Sequence, residues 1–109
     1  MNLQKEIIKE CKFFIDIHDL GELQNFYKKI IDYDMDYNPN FAFIFKEVFL
    51  YACLKKDKSV ISWMMEIFNT FDDITKIGLR QMFFYGKYLI KEPSIKSWYE
   101  NNIIIHVRN

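Results

Sequence analysis

Apolar residues recur along this chain at intervals of three and four, and six stretches follow that helical spacing. The first, residues 3–18, sets Leu3, Ile7, Ile8, Cys11, Phe14, Ile15 and His18 on one face. Asp19 is the predicted N-cap of a second helix, with Glu22 three residues on in a capping-box pattern. Leu20, Leu23, Phe26, Tyr27, Ile30 and Ile31 form its apolar side. A polar stretch bearing Asp, Asn and Pro, residues 32–40, separates this pair from the next. Asn40 can cap a third helix, in which Phe41, Phe45, Val48, Phe49, Ala52 and Cys53 recur. A turn at Lys55-Lys56-Asp57-Lys58 leads to a fourth helix with Val60, Trp63, Met64, Ile67, Phe68 and Phe71 on one stripe.

Residues 69–73 make a second polar loop, in which Asp73 is the expected cap of a fifth helix over about 74–90. That helix is apolar on more than one side through Ile77, Met82, Phe83, Phe84, Tyr85 and Leu89, a pattern expected of a helix buried between neighbours. Glu92-Pro93-Ser94 opens the sixth, since Pro suits the first helical position, and Ile95, Trp98 and Tyr99 face inward there. The β-branched tail, residues 103–107, can finish this helix, dock as an extended segment, or cover an exposed end. The expected fold is all-α: one domain of about six helices.

Composition agrees with that reading. The chain has 109 residues, half of them hydrophobic and 18% aromatic, and only 3 Gly and 2 Pro to make tight turns. Large side chains dominate and Ala is scarce, so the helices should sit apart rather than cross closely. Fifteen basic and fifteen acidic residues cancel, which argues against nucleic acid as the partner, because phosphate binders carry a basic excess. No run approaches the length of about 18 apolar residues that reads as a membrane span. Residues 1–12 carry charge throughout, unlike a secretory signal, so the expected location is cytoplasmic.

An internal repeat accompanies the helices. Phe26, Trp63 and Trp98 lie 37 and 35 residues apart, within GELQNFYKKII (21–31), KSVISWMMEIF (58–68) and PSIKSWYENNI (93–103). Leu23, Val60 and Ile95 coincide in that alignment, as do Tyr27, Met64 and Tyr99. One helix pair cannot bury its own apolar face, so three stacked pairs (about 3–40, 41–73 and 74–109) complete a shared core. The middle unit, FLYACLKKDKSVISWMMEI (49–67), resembles an ankyrin repeat, especially the divergent ankyrin-like arrays of giant DNA viruses. Phe49, Ala52, Cys53, Val60 and Trp63 match that pattern, and Phe84, Ile95 and Trp98 echo it. The Thr-Pro-Leu-His turn of ordinary ankyrins is absent, the middle inter-helix turn lacks its Gly, and the spacings exceed the usual length of about 33. Another helical-hairpin repeat and a non-repeating bundle therefore remain alternative arrangements. The resemblance implies a protein-interaction module and, if the source is viral, a location in the host cytoplasm.

Candidate chemistry is sparse. Cys11 and Cys53 lie in apolar patterns without CxxC spacing and read as buried thiols. His18 and His106 have no neighbouring Cys or His cluster. Asp32, Asp34 and Asp36 alternate as a calcium loop begins, but Tyr37 and Phe43 stand where that loop needs Gly and Glu. No phosphate loop, GxSxG or HExxH is present, so no enzyme, cofactor or metal is expected. Trp63 and Trp98 are expected in the core.

The ankyrin resemblance places partner contacts on the loop tips and first helices. The expected partner-binding residues are therefore Tyr33, Asp34, Asp36, Tyr37, Asp72 and Asp73, with Tyr supplying contact area at low entropic cost. Lys55, Lys56, Lys58, Lys91 and Lys96 should line the opposite edge, separating the charges. The expected partner is another protein. Alternatives are a neutralising role, as an immunity protein or antitoxin, and self-assembly as a structural component.

Overall fold

The computed structural model describes residues 3–31 and 40–108, and among these there is no β-strand. The helices are α1 (Leu3–Asp16), α2 (Leu20–Ile31), α3 (Phe41–Leu54), α4 (Lys58–Phe68), α5 (Asp73–Leu89) and α6 (Pro93–Tyr99). A π-helical stretch, Glu100–Ile104, and a last turn, α7 (Ile105–Val107), continue α6. The tail thus finishes the sixth helix. No described helix is long and apolar enough to cross a membrane.

Helices α1, α3 and α5 lie side by side, and α2 and α4 fold back on α1 and α3. The molecule measures 42 × 33 × 21 Å, and its short dimension is two helix diameters. Helix α3 is central because it is apolar around much of its girth. Ile44, Phe45, Val48, Phe49, Ala52 and Cys53 are all buried, at positions that serve neighbours on both sides.

Short local bonds start α2, α3, α4 and α5. Asp19 accepts from the Glu22 amide at 3.0 Å, Asn40 from Phe43 at 3.0 Å and Asp57 from Val60 at 3.2 Å. Each satisfies an amide that the helix itself leaves unpaired, worth about 1 kcal/mol. The cap of α5 is Asp72, which takes the Thr75 amide at 2.8 Å, and Asp73 is instead the first helical residue. The expectation at Asp73 was thus one residue late. At α6, Pro93 occupies the first turn and Glu92 caps without a side-chain bond.

The first two hairpin turns share one hydrogen-bond pattern, repeated 38 residues on. The amides of His18 and Asp19 bond to the Ile15 and Phe14 carbonyls, and those of Lys56 and Asp57 to Cys53 and Ala52. This is a Schellman closure, in which the residue after the helix turns left-handed. His18 (φ 56°) and Lys56 (φ 58°) occupy that position without being glycine. His18 therefore lies beyond α1 and in solvent, not on the helix's apolar face as its spacing implied. The third turn differs, since Ile90 there is extended (ψ 111°) and buried. Matching the first two hairpins by their turns sets Phe26 opposite Met64 rather than Trp63. The aromatic anchors are one residue out of register with the caps.

Aromatic rings knit the core. Phe49 and Phe83 meet edge-on at 5.0 Å, Phe68 and Phe83 at 4.7 Å, and Phe45 and Phe71 at 5.1 Å. Tyr99 is fully buried, and its hydroxyl donates to the Phe83 carbonyl at 2.6 Å. Arg80 Nε donates to the Val107 carbonyl at 2.8 Å and Lys87 pairs with Glu100, so the tail runs antiparallel to α5. Trp63 and Trp98 are half-buried, packed on the core rather than inside it.

Candidate functional site

Of the residues expected to bind a partner, Tyr33, Asp34, Asp36 and Tyr37 lie outside the described residues. Asp72 and Asp73 are exposed at the start of α5. The backbone hydrogen bond from Thr75 holds the Asp72 carboxyl below the usual aspartate range. One of its oxygens is therefore already engaged in capping. Asp73 stands in the first turn, where the helix dipole favours a negative charge.

The opposite edge is not a purely basic one. Asp16 lies 3.7 Å from Lys55, and Asp57 lies 4.0 Å from the exposed His18. Asp19 and Glu92 stand at the same edge as helix caps. The mixture has a simple cause: the turns that carry the lysines also start the next helices, and helix starts require acceptors. Tyr51 bridges α1 and α3 by donating to Asp16 at 2.6 Å, a bond that raises the tyrosine pKa above its ordinary value. The ammonium groups of Lys12 and Lys55 lie 5.1 and 5.5 Å from its ring centre, and Lys58 caps the Trp98 ring at 5.5 Å.

The larger surface feature was missed in the sequence. Ile74, Ile77, Tyr85 and Tyr88 are 84, 72, 61 and 70% exposed, and with Gln81 they form one stripe along α5. Leu79, Met82, Phe83 and Gly86 occupy the opposite side of the same helix and are buried. The helix is thus apolar on two sides because one is core and the other faces solvent, correcting the expectation of burial all round. The signal was present: positions 74, 77, 81, 85 and 88 keep helical spacing by themselves. Beside the stripe, a trough between α3 and α5 is lined by Leu50, Met82 and Phe84, with Lys46 and Glu47 on the α3 side. Phe43 and Leu54 of α3, Phe13 of α1 and Ile17 just beyond it are also exposed.

The thiols are placed differently. Cys11 and Cys53 are buried and form no disulfide, and burial pushes the pKa of each thiol up to about 12. Both stay protonated at neutral pH and are weak nucleophiles as a result. Among the described residues, no group of three or more His, Cys, Asp or Glu is placed to hold a metal ion. What the described surface offers is contact chemistry: apolar and aromatic side chains held in fixed positions by rigid helices.

Compared with known protein families, with characterised proteins and with solved structures, the chain matches none at a significant level.

Proposed function

We propose that this chain is a non-catalytic protein-interaction module of ankyrin-like type, docking another protein on the face formed by α1, α3 and α5. The exposed stripe of Ile74, Ile77, Tyr85 and Tyr88 carries this reading. Scattered apolar residues are normal on a surface, but contiguous apolar patches mark interaction sites. Tyr is enriched in binding hot spots, because it combines a large apolar body with a hydrogen-bonding tip. Asp72 and Asp73, next in sequence to Ile74, would contribute a polar rim, as would Tyr33, Asp34, Asp36 and Tyr37. Two features support the ankyrin-like part: the side-by-side first helices, and the left-handed residue at His18 and Lys56, where a Gly would ordinarily serve. A viral source and a host-cytoplasmic location rest on the sequence resemblance alone.

A second reading, self-assembly, draws on the same stripe, because two copies can pair one helix face with itself about a two-fold axis. One experiment separates the readings. A photo-crosslinking phenylalanine analogue replaces Tyr85, or, as a control, the exposed Asn101, and each variant is irradiated in lysate of the source cell. The module reading expects a discrete heterologous adduct from position 85 that Ile77→Glu abolishes. Adducts with the protein itself alone would favour self-assembly. Equal labelling from both positions, or none from either, would sink both readings.

A further inference from the structure

An apolar cavity of about 300 Å³ lies between α1, α2, α3 and α4, away from the α5 stripe. Leu23, Val48 and Met64 form its buried walls, while the half-buried Tyr27, Trp63 and Phe71 stand nearer its opening. No charged side chain is among its described lining residues. We propose that this cavity is a binding site for a small, uncharged aromatic molecule of about two fused rings.

The cavity follows from how α2 and α4 meet. The rings of Tyr27 and Trp63 touch edge to face, 5.5 Å apart at 88°, and such a contact between two large side chains holds the helices apart. Ala is scarce in this chain, so little allows the backbones to approach and close the gap. A well-packed interior contains few voids larger than a water molecule. This pocket is partly open to solvent, so it leaves apolar side-chain surface in contact with water that a guest would cover. Water there is poorly held, because the described lining residues offer few hydrogen-bond partners.

The lining selects the ligand. A cavity of about half this volume, walled by aliphatic and aromatic side chains, is enough to hold benzene. The volume here therefore suits a bicyclic ring system, and sits at the small end of ordinary ligand pockets, which run from about 300 Å³ upward. Phe45, Phe71, Tyr27 and Trp63 offer ring edges and faces to an aromatic guest. A charged group has no counterpart among the described lining residues and would be disfavoured by desolvation.

The test uses the intact chain and an uncharged fluorescent probe, N-phenylnaphthylamine. Expected are a saturable rise in emission at one-to-one stoichiometry and displacement of the probe by naphthalene. Energy transfer to the probe should persist in Trp98→Phe, where Trp63 is the remaining tryptophan. Naphthoate, which adds a carboxylate to the same rings, should compete at least about tenfold less well. Filling the cavity by Val48→Phe, or by Ile67→Phe should the first fail to fold, should weaken the probe by about tenfold or more. Absence of saturable binding would overturn the proposal. So would an affinity unchanged in the folded filled variant, or naphthoate competing as well as naphthalene.

Discussion

The hydroxyl of Tyr99 reaches the carbonyl of Phe83 at 2.6 Å because Gly86, about one turn on from Phe83 in α5, has no side chain. A Cβ at position 86 would stand 2.9 Å from that hydroxyl and 2.8 Å from Cys53 Sγ. Ordinary helix propensity favours Ala over Gly by about 1 kcal/mol. Here the clash reverses the sign. Gly86→Ala is expected to destabilise the fold by about 1–3 kcal/mol, as overpacking does. Tyr99→Phe, which removes only the hydrogen bond, should cost about 1 kcal/mol. Urea unfolding of the two variants checks both values, and a stabilised Gly86→Ala would show that the approach is looser than described.

His18 and Lys56 both adopt left-handed backbone angles that cost a residue with a side chain about 1–2 kcal/mol. Replacing either by Gly should therefore stabilise the protein by about 0.5–1 kcal/mol, after the extra chain entropy of Gly is deducted. His18→Ala and Lys56→Ala keep the strain and serve as controls. A gain shared equally by Gly and Ala would place the effect in the lost side chain and not in the backbone.

Asp57→Ala should cost about 1 kcal/mol through the lost cap of α4. For Asp72 the effect carries a pH signature. Its folded-state pKa is lowered, so the stability it contributes is present above the ordinary aspartate value and is lost as pH falls through the folded one. Thermal midpoints of the native chain and Asp72→Ala should differ at neutral pH and converge in acid. A gap that persists at low pH would assign the effect to something other than the ionised cap.

The buried thiols act at the other end of the scale. Their pKa values rise from 9.0 to about 12, so unfolded chains lose these protons first as pH climbs. Stability should accordingly be intact below pH 9 and decline towards pH 12, each thiol contributing a slope of about 1.4 kcal/mol per pH unit within that window. Aromatic disulfide reagents at pH 8 should modify Cys11 and Cys53 only as fast as the protein opens. Rapid labelling under native conditions would contradict their burial.

Removing the α5 stripe should leave the fold untouched. Ile77→Glu and Tyr85→Glu alter side chains that face solvent, so each should shift stability by less than about 0.5 kcal/mol. Chemical denaturation of the double variant is the measurement. A large loss would mean that the stripe belongs to the core, which would remove the observation on which the proposed function rests.

Much of the architecture was legible locally. The caps at Asp19 and Asn40 and the first-turn Pro93 could be read because each acts within one turn of its own helix. Spacing of three and four likewise marked where each helix runs. These signals depend on bonds between residues three to five apart, so the sequence carries them whatever the chain packs against.

Other features depend on neighbours far along the chain. Helix α5 bears two apolar stripes, and periodicity treats them alike. The side holding Gly86 is buried because α3 and Tyr99 can approach only there. The other side, with Ile77 and Tyr85, is covered by none of the described residues. Phe26 and Trp63 looked equivalent because both are aromatic, yet the turns that set their helices put them one residue apart in register. The cavity beside Tyr27 and Trp63 was equally hidden, since whether two large rings interlock or hold their helices apart depends on the angle at which those helices meet. Helix formation is a short-range property of this chain, while the choice of buried face and the gaps between helices are long-range packing outcomes that spacing cannot encode.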